Sequence, residues 1–181
     1  MKVNLGAGSD ILEGYINHDL ADLPGIDIVH DLNHYPWPWA DGSIEEIKVH
    51  DVLEHLDDFI KAMEEIYRIL SPSGRCNVRV PYWNSWCSYA DPTHKRGFHE
   101  LTFRFLDPES AYCKERPYYT KARFKVVEES FILVPFSPYF GLPGISEIYI
   151  SRSFSKKVVG LIGNYFISNL IQDLQIVLKK I

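Results

Sequence analysis

Lys2-Val3-Asn4-Leu5-Gly6-Ala7-Gly8-Ser9-Asp10 is the stretch that decides how the rest of the chain reads. Lys2 to Leu5 alternates polar with apolar residues, which predicts a short strand. The two glycines that follow predict a turn at which the backbone can come close to a ligand. Working outward, Tyr15 to Leu20, Ile26 to Leu32 and Ile44 to Val49 predict three more strands, and the Pro- and Trp-rich run Asn33 to Gly42 predicts a loop. Val52 to Leu70 predicts a helix, because Leu56, Ile60, Met63, Tyr67 and Leu70 recur at spacings of three and four. Ser71-Pro72-Ser73-Gly74 should stop it. Cys76 to Val80 alternates as a strand does, and Tyr82 to Gly97 is a long polar and aromatic loop. Glu100 to Leu106 looks helical, while Phe124 to Val134 and Leu174 to Ile181 complete the strands. Strands alternating with helices predict an α/β fold of the doubly wound kind, a largely parallel sheet covered on both faces. Only Ser9 to Gly14 separates the first turn from the second strand, whereas a parallel crossover usually needs about a dozen residues. The first crossover helix is therefore expected to be missing or reduced to a turn.

The 181 residues suit one domain spanning 1–181, with an insertion at about 135–173 between the last two strands. Within that insertion Val158, Leu161, Ile162, Tyr165 and Phe166 form an amphipathic helical pattern. Three readings of residues 155–170 stay open: packing on the domain itself, a homodimer contact, or a membrane-surface contact. The net charge is −5, and acids interrupt the most basic stretch, Lys95 to Lys125, so no nucleic-acid partner is expected. Cys76, Cys87 and Cys113 are odd in number and form no CxxC pair, which predicts neither a disulfide framework nor a cysteine-built zinc site. With no leader pattern and no run of about 18 apolar residues, the expectation is a cytoplasmic protein.

In a doubly wound sheet, ligands bind outside the carboxyl ends of the strands. The four predicted strand ends carry Leu5-Gly6-Ala7-Gly8, His18-Asp19, His30-Asp31-Leu32 and Val49-His50-Asp51. A carboxylate at the second end is suited to accept hydrogen bonds from ribose hydroxyls. A dinucleotide fold would need a third glycine opening a helix after Gly8, and the chain offers neither.

These residues resemble the class I S-adenosylmethionine-dependent methyltransferases, in their small-molecule branch (methyltransferase type 11/23-like). Leu5-Gly6-Ala7-Gly8 resembles the family's first motif, and Asp19 falls at the place of its ribose-binding acid. Asp31-Leu32 resembles the pair that meets the adenine. Val52-Leu53-Glu54-His55-Leu56, the run Glu65 to Arg75 and Asp91-Pro92-Thr93-His94 with Phe98 and Thr102 resemble later family segments. The likeness runs from Met1 to about Val134 and takes in the final strand. It implies a Rossmann-like sheet of seven strands with an antiparallel last strand, S-adenosylmethionine as cofactor, and methyl transfer from its sulfonium. Leu5, Gly6, Ala7, Gly8, Asp19, Asp31, Leu32 and His50 are then the cofactor-binding candidates. The short first crossover, and a chain that opens at strand one, should leave the cofactor more exposed than in relatives.

The reaction centre offers His50, His94 and Asp51 as catalytic candidates, the histidines because they titrate near neutral pH. His99 stands evenly between surface and site. Asp51, Glu54 and His55 are spaced i, i+3, i+4, so a helix would put them on one face. With His94 they make a candidate set for a divalent cation, Mg, Mn or Fe. That set resembles the metal site of ubiquinone-pathway O-methyltransferases and of plant small-RNA 3′-end methyltransferases. Asp51-x-x-Glu54 reads equally as a capping box. Trp37, Trp39, Tyr82, Trp83, Trp86 and Tyr89 are either a core under a loop or a flat acceptor pocket. The expected activity is methylation of a small-molecule or glycan-like acceptor, at oxygen. The alternatives are a non-catalytic binding or interaction domain of the same fold, and an RNA methyltransferase.

Overall fold

Strand β1 (Lys2–Leu5) lies at the centre of the first half of the sheet and pairs in parallel with both β2 (Ile16–Asp19) and β4 (Ile44–His50). The computed structural model describes residues 1–134 and 147–181. Strand β3 (Ile28–Val29) pairs in parallel outside β2, and β5 (Leu70–Pro81) in parallel outside β4. The chain then adds β6 (Phe124–Leu133), β7 (Ile148–Ile150) and β8 (Asp173–Lys180). Strand β8 slots between β5 and β6 and is antiparallel to both, giving the order β3-β2-β1-β4-β5-β8-β6-β7. The antiparallel last strand is as expected. The sheet has eight strands rather than seven, because Ile148–Ile150 of the insertion pairs with Phe131, Ile132 and Leu133 at the open edge.

The α1 helix (Phe59–Ile69) carries the crossover from β4 to β5. Its Phe59, Ala62, Met63, Ile66 and Ile69 are buried against the sheet. The helix starts seven residues later than the apolar spacing predicts. Asp58, with its side chain accepting from the Lys61 amide, is the real N-cap. Residues 52–58 form turns, and Leu53 and Leu56 reach the core from them, which extends the apolar periodicity beyond the helix. The other helical elements are short: α2 (Cys87–Ala90), a 3₁₀ turn at Thr102–Leu106 where a helix over Glu100–Leu106 was expected, and α3 (Ala111–Glu115). The fourth helix, α4 (Ser153–Tyr165), lies inside the insertion as its pattern predicts. Residues 135–146 of that insertion lie outside the described residues.

No helix joins β1 to β2, β2 to β3 or β3 to β4, so the expectation of helices on both faces holds only in part. Two buried asparagines do the work of the missing first helix. Asn4 Nδ2 donates to the Asp10 carbonyl and to Asn17 Oδ1, while Asn17 Oδ1 also accepts from the Leu12 amide and Asn17 Nδ2 donates to the Leu12 carbonyl. Loop groups that a helix would pair within itself are thus satisfied by side chains. Trp37 and Trp39 from the β3–β4 loop are buried in the core, and Arg68 of α1 clamps that loop through the Trp37 and Trp39 carbonyls, Asp41 and Glu65.

Candidate functional site

The carboxyl ends of β1 to β4 open into one cleft of about 660 Å³, a size that suits a nucleoside-sized ligand. Gly6, Asp19, Asp31, Leu32, Asp51 and Val52 line it. The Asp19 carboxylate accepts from the Gly8 amide at 2.9 Å and from the Ala21 amide at 3.0 Å. A carboxylate has about four acceptor positions, so positions remain for a diol. Asp31 accepts from the Asn33 amide at 2.9 Å and faces His34 Nδ1 at 3.0 Å. The Asn33 amide first, and His34 as well, hold its carboxyl below the usual range. Gly6 and Gly8 both have positive φ, +65° and +50°. A Cβ on Gly6 would meet Val52 Cγ2 at 2.2 Å, whereas one on Gly8 would meet open space.

Leu5 and Ala7 are buried in the core, and neither they nor Gly8 is among the residues that line the cleft. The Ala7 amide donates to the His18 carbonyl at 2.8 Å. His50 is half-buried and lines neither this cleft nor its neighbour. Burial first, and Lys48 next, lowers its pKa. His18 reaches the cleft wall although sequence reading did not single it out. It is buried, its Nε2 lies 2.9 Å from the His30 carbonyl, its ring packs edge-on against Trp39, and its Nδ1 has no partner among the described residues. The available signal was its place beside Asp19 at a strand end.

A second, smaller cavity of about 280 Å³ adjoins the cleft, with Asp51 and His94 in both walls. Its other walls include Glu54, Trp86, Cys87, Gln172 and Asp173. Arg79 is the lone cation among its lining residues, and it is paired with Asp173 at 2.6 Å and Glu147 at 2.8 Å. Of the six loop aromatics, only Trp86 lines this cavity. Trp37, Trp39 and Tyr82 are core residues, Trp83 donates from Nε1 to Asn164, and Tyr89 is largely exposed. His99 Nδ1 accepts from the Leu101 amide, and the ring lines neither cavity.

Asp51 does not sit on a helix with Glu54 and His55. It adopts φ 54°, in the left-handed region that a residue with a side chain seldom enters, and such strain concentrates at functional sites. The capping box is therefore absent, and with it the one-face helical geometry. Glu54, His55 and His94 nevertheless converge. One ligand-capable atom from each lies within 4.8 Å of the others, and Asp51 is outside this group. Glu54 is fully buried, and among the described residues neither carboxylate oxygen has a hydrogen-bond partner. His94 Nε2 stands 3.9 Å from Glu54 Oε1, too far for a hydrogen bond, and His94 Nδ1 is buried with no partner among the described residues. Burial pushes the Glu54 carboxyl up to about 8, with Asp51, Asp173 and Asp91 adding to it. His55 Nδ1 sits 2.9 Å from Thr93 Oγ1, and that hydroxyl donates to Asp91. The Thr93–Asp91 chain thus fixes the His55 ring, leaving Nε2 as its free nitrogen.

A parallel run in the order 3-2-1-4-5, an antiparallel strand inserted beside it, and an acid-lined cleft at the strand ends define the nucleoside-binding fold of S-adenosylmethionine-dependent methyltransferases. Residues 4–78 match the family model described as a methyltransferase domain. No curated protein matches the chain. Among solved structures, a SAM-dependent methyltransferase from Archaeoglobus fulgidus is 21% identical, with TM-score 0.63, covering 99% of this chain and 85% of that one. A Thermotoga maritima SAM-dependent methyltransferase, titled a possible histamine N-methyltransferase, is 15% identical, with TM-score 0.62 and coverage of 99% and 82%. A putative methyltransferase from Haloferax volcanii, solved in complex with the Trm112 methyltransferase activator, is 18% identical, with TM-score 0.52 and coverage of 99% and 81%. At these identities the structural likeness is one of fold. The match over residues 4–78 and this shared fold make the chain similar to class I S-adenosylmethionine-dependent methyltransferases. No helix among the described residues is long and apolar enough to cross a membrane.

Proposed function

We propose that this protein is an S-adenosylmethionine-dependent methyltransferase that acts on a hydroxyl of a small-molecule or glycan-like acceptor seated in the 280 Å³ cavity. The observation that carries this reading is the common wall: Asp51 and His94 face both the cofactor-sized cleft and the smaller cavity. In this reading Asp19 holds the ribose diol and Asp31 and Leu32 the adenine. The turn Leu5-Gly6-Ala7-Gly8 brings its backbone close to the rest of the cofactor. Bound S-adenosylmethionine supplies an electrophilic methyl on a sulfonium. Transfer forms an acceptor O–C bond as the S–C bond breaks, its electron pair stays on sulfur, and the hydroxyl proton must leave. The chain's part is alignment, exclusion of water and removal of that proton.

Glu54, His55 and His94 are the residues that would hold a divalent cation at that wall. Their fit rests on a fully buried carboxylate whose two oxygens have no partner among the described residues, an arrangement costly without an ion or a proton. Two nitrogens and one oxygen suit Mn or Fe(II) better than Mg. A cation here would lower the pKa of a bound hydroxyl, and the proton could then pass to water. The elevated Glu54 pKa favours a second reading, in which Glu54 is protonated, no ion binds and His94 accepts the proton directly. His50 has no assigned role in either reading.

Calorimetric titration with S-adenosylhomocysteine, with and without Mn²⁺, tests the assignment. Micromolar binding supports the cofactor cleft, and a heat of Mn²⁺ binding that is lost in Glu54→Gln supports the metal-assisted form. Cofactor binding with no metal heat leaves the His94 form standing. Absence of binding at millimolar ligand would overturn the proposal in favour of a non-catalytic domain.

A further inference from the structure

The α4 helix (Ser153–Tyr165) lies on the sheet with the side opposite to the one its composition suggests. Its buried residues are Gly160 and Gly163. A Cβ on Gly160 would stand 3.3 Å from the Phe131 ring, and one on Gly163 would stand 3.0 Å from Ile171 Cδ1. The glycines let the helix lie close to the domain, and Lys156 of the same inner side reaches Glu129 at 3.0 Å. Val159 also packs against the core, while the most exposed apolar residues point the other way. Phe154, Val158, Leu161 and Tyr165 follow spacings of four, three and four, so they share one stripe, and they are 80%, 40%, 55% and 77% exposed. Phe166 and Ile167 extend the stripe past the helix end at 76% and 52%. Monomeric proteins seldom leave such a contiguous patch bare.

Charge indicates what covers it. Residues 151–171 contain Arg152, Lys156 and Lys157 and no acid, in a chain of net charge −5. Lys157 and Arg152 are exposed, and Lys157 borders the stripe. Basic residues flanking a helix face of Phe, Leu and Tyr match an anionic lipid interface, with the apolar side chains at the acyl boundary and the cations among the headgroups. A twofold dimer through the same stripe would instead bring this acid-free cationic segment against its own copy. The opposite, domain-facing side of α4 is tied to the Tyr82–Asn84 loop. Asn164 Oδ1 accepts from Tyr82 and from Trp83 Nε1, and Asn84 Nδ2 donates to the Gly163 carbonyl.

We infer that the outward face of α4, with Phe166 and Ile167, is a docking surface for anionic membrane. This stands independently of the acceptor assignment. The test is co-sedimentation of the full chain with vesicles of phosphatidylcholine, with and without about one third phosphatidylglycerol. The expected result is binding to the anionic vesicles that weakens with salt and falls about tenfold or more in Phe154→Ser/Leu161→Ser and in Arg152→Glu/Lys157→Glu. Unchanged far-ultraviolet circular dichroism and a cooperative thermal transition in both variants show that they remain folded. Equal sedimentation of wild type and folded variants overturns the inference. So does a concentration-dependent dimer, seen by light scattering, that Phe154→Ser/Leu161→Ser abolishes in the absence of lipid binding.

Discussion

Gly6→Ala should be the most informative single-atom change at the first turn. Gly6 sits at φ +65°, where an L side chain costs roughly 1–2 kcal/mol. The new Cβ would also lie 2.2 Å from Val52 Cγ2. Val52 is 8% exposed and packed in the core, so it cannot simply swing aside. Forcing a methyl into packed surroundings costs roughly 1–3 kcal/mol more, for a total near 3 kcal/mol. Gly8→Ala carries the same backbone strain at φ +50° but meets nothing within 4 Å, so about 1 kcal/mol is expected. The two parts of the Gly6 penalty separate in a double-mutant cycle with Val52→Ala, which removes the clashing methyl and costs about 2 kcal/mol alone. If the clash is real, the double variant should be less destabilised than the sum by about 1–2 kcal/mol. Urea unfolding followed by tryptophan fluorescence measures all four corners. Additive effects, or a Gly6→Ala cost no larger than that of Gly8→Ala, would refute the packing argument.

Asp19→Ala should weaken S-adenosylhomocysteine binding about ten- to a hundredfold by calorimetry, because charge-assisted hydrogen bonds are lost and the Gly8 amide is left without its acceptor; an unchanged affinity removes Asp19 from the ribose site. In metal-free buffer the Glu54 carboxyl titrates near 8 when folded and near 4.5 when unfolded, so between those values the folded state binds the extra proton. Wild type should therefore lose stability relative to Glu54→Gln as pH rises from about 5 to 8, by up to roughly 4 kcal/mol. The comparison with Gln matters because His18, His50 and His55 have lowered pKa values, chiefly from burial, and push stability the opposite way below their unfolded pKa. A pH-independent difference between the two proteins would contradict a buried, raised Glu54. Arg68→Ala should destabilise the fold by about 2–4 kcal/mol in urea, since it frees the Trp37 and Trp39 carbonyls and leaves Glu65 without its partner; a loss under about 0.5 kcal/mol would mean that the clamp is ornamental.

Much of this protein was legible in local chemistry. Strand alternation, the Gly6-Ala7-Gly8 turn and acids at successive strand ends depend on residues near one another in the chain, and the sheet places those ends side by side. The short Ser9–Gly14 link foretold the missing helix, because no parallel crossover helix fits into so few residues. The Val52–Leu70 helix was overextended because periodicity records which residues face the core and cannot tell a helix from turns that face the same way. The eighth strand comes from three residues, Ile148–Ile150, whose strand character depends on an open edge at β6.

The ligand cluster divides in the same manner. Sequence by itself determined that Asp51, Glu54, His55 and His94 belong to one end of the sheet. Only tertiary structure decided that Glu54 is buried without a partner among the described residues, that Thr93 and Asp91 orient His55, and that a left-handed backbone turns Asp51 out of the group. Likewise the α4 pattern determined an amphipathic helix, but not which side meets the domain. That was decided by two glycines lying against Phe131 and Ile171, which leave the bulky apolar stripe facing outward. Spacing along a chain specifies which residues share a face, and the fold specifies what that face meets.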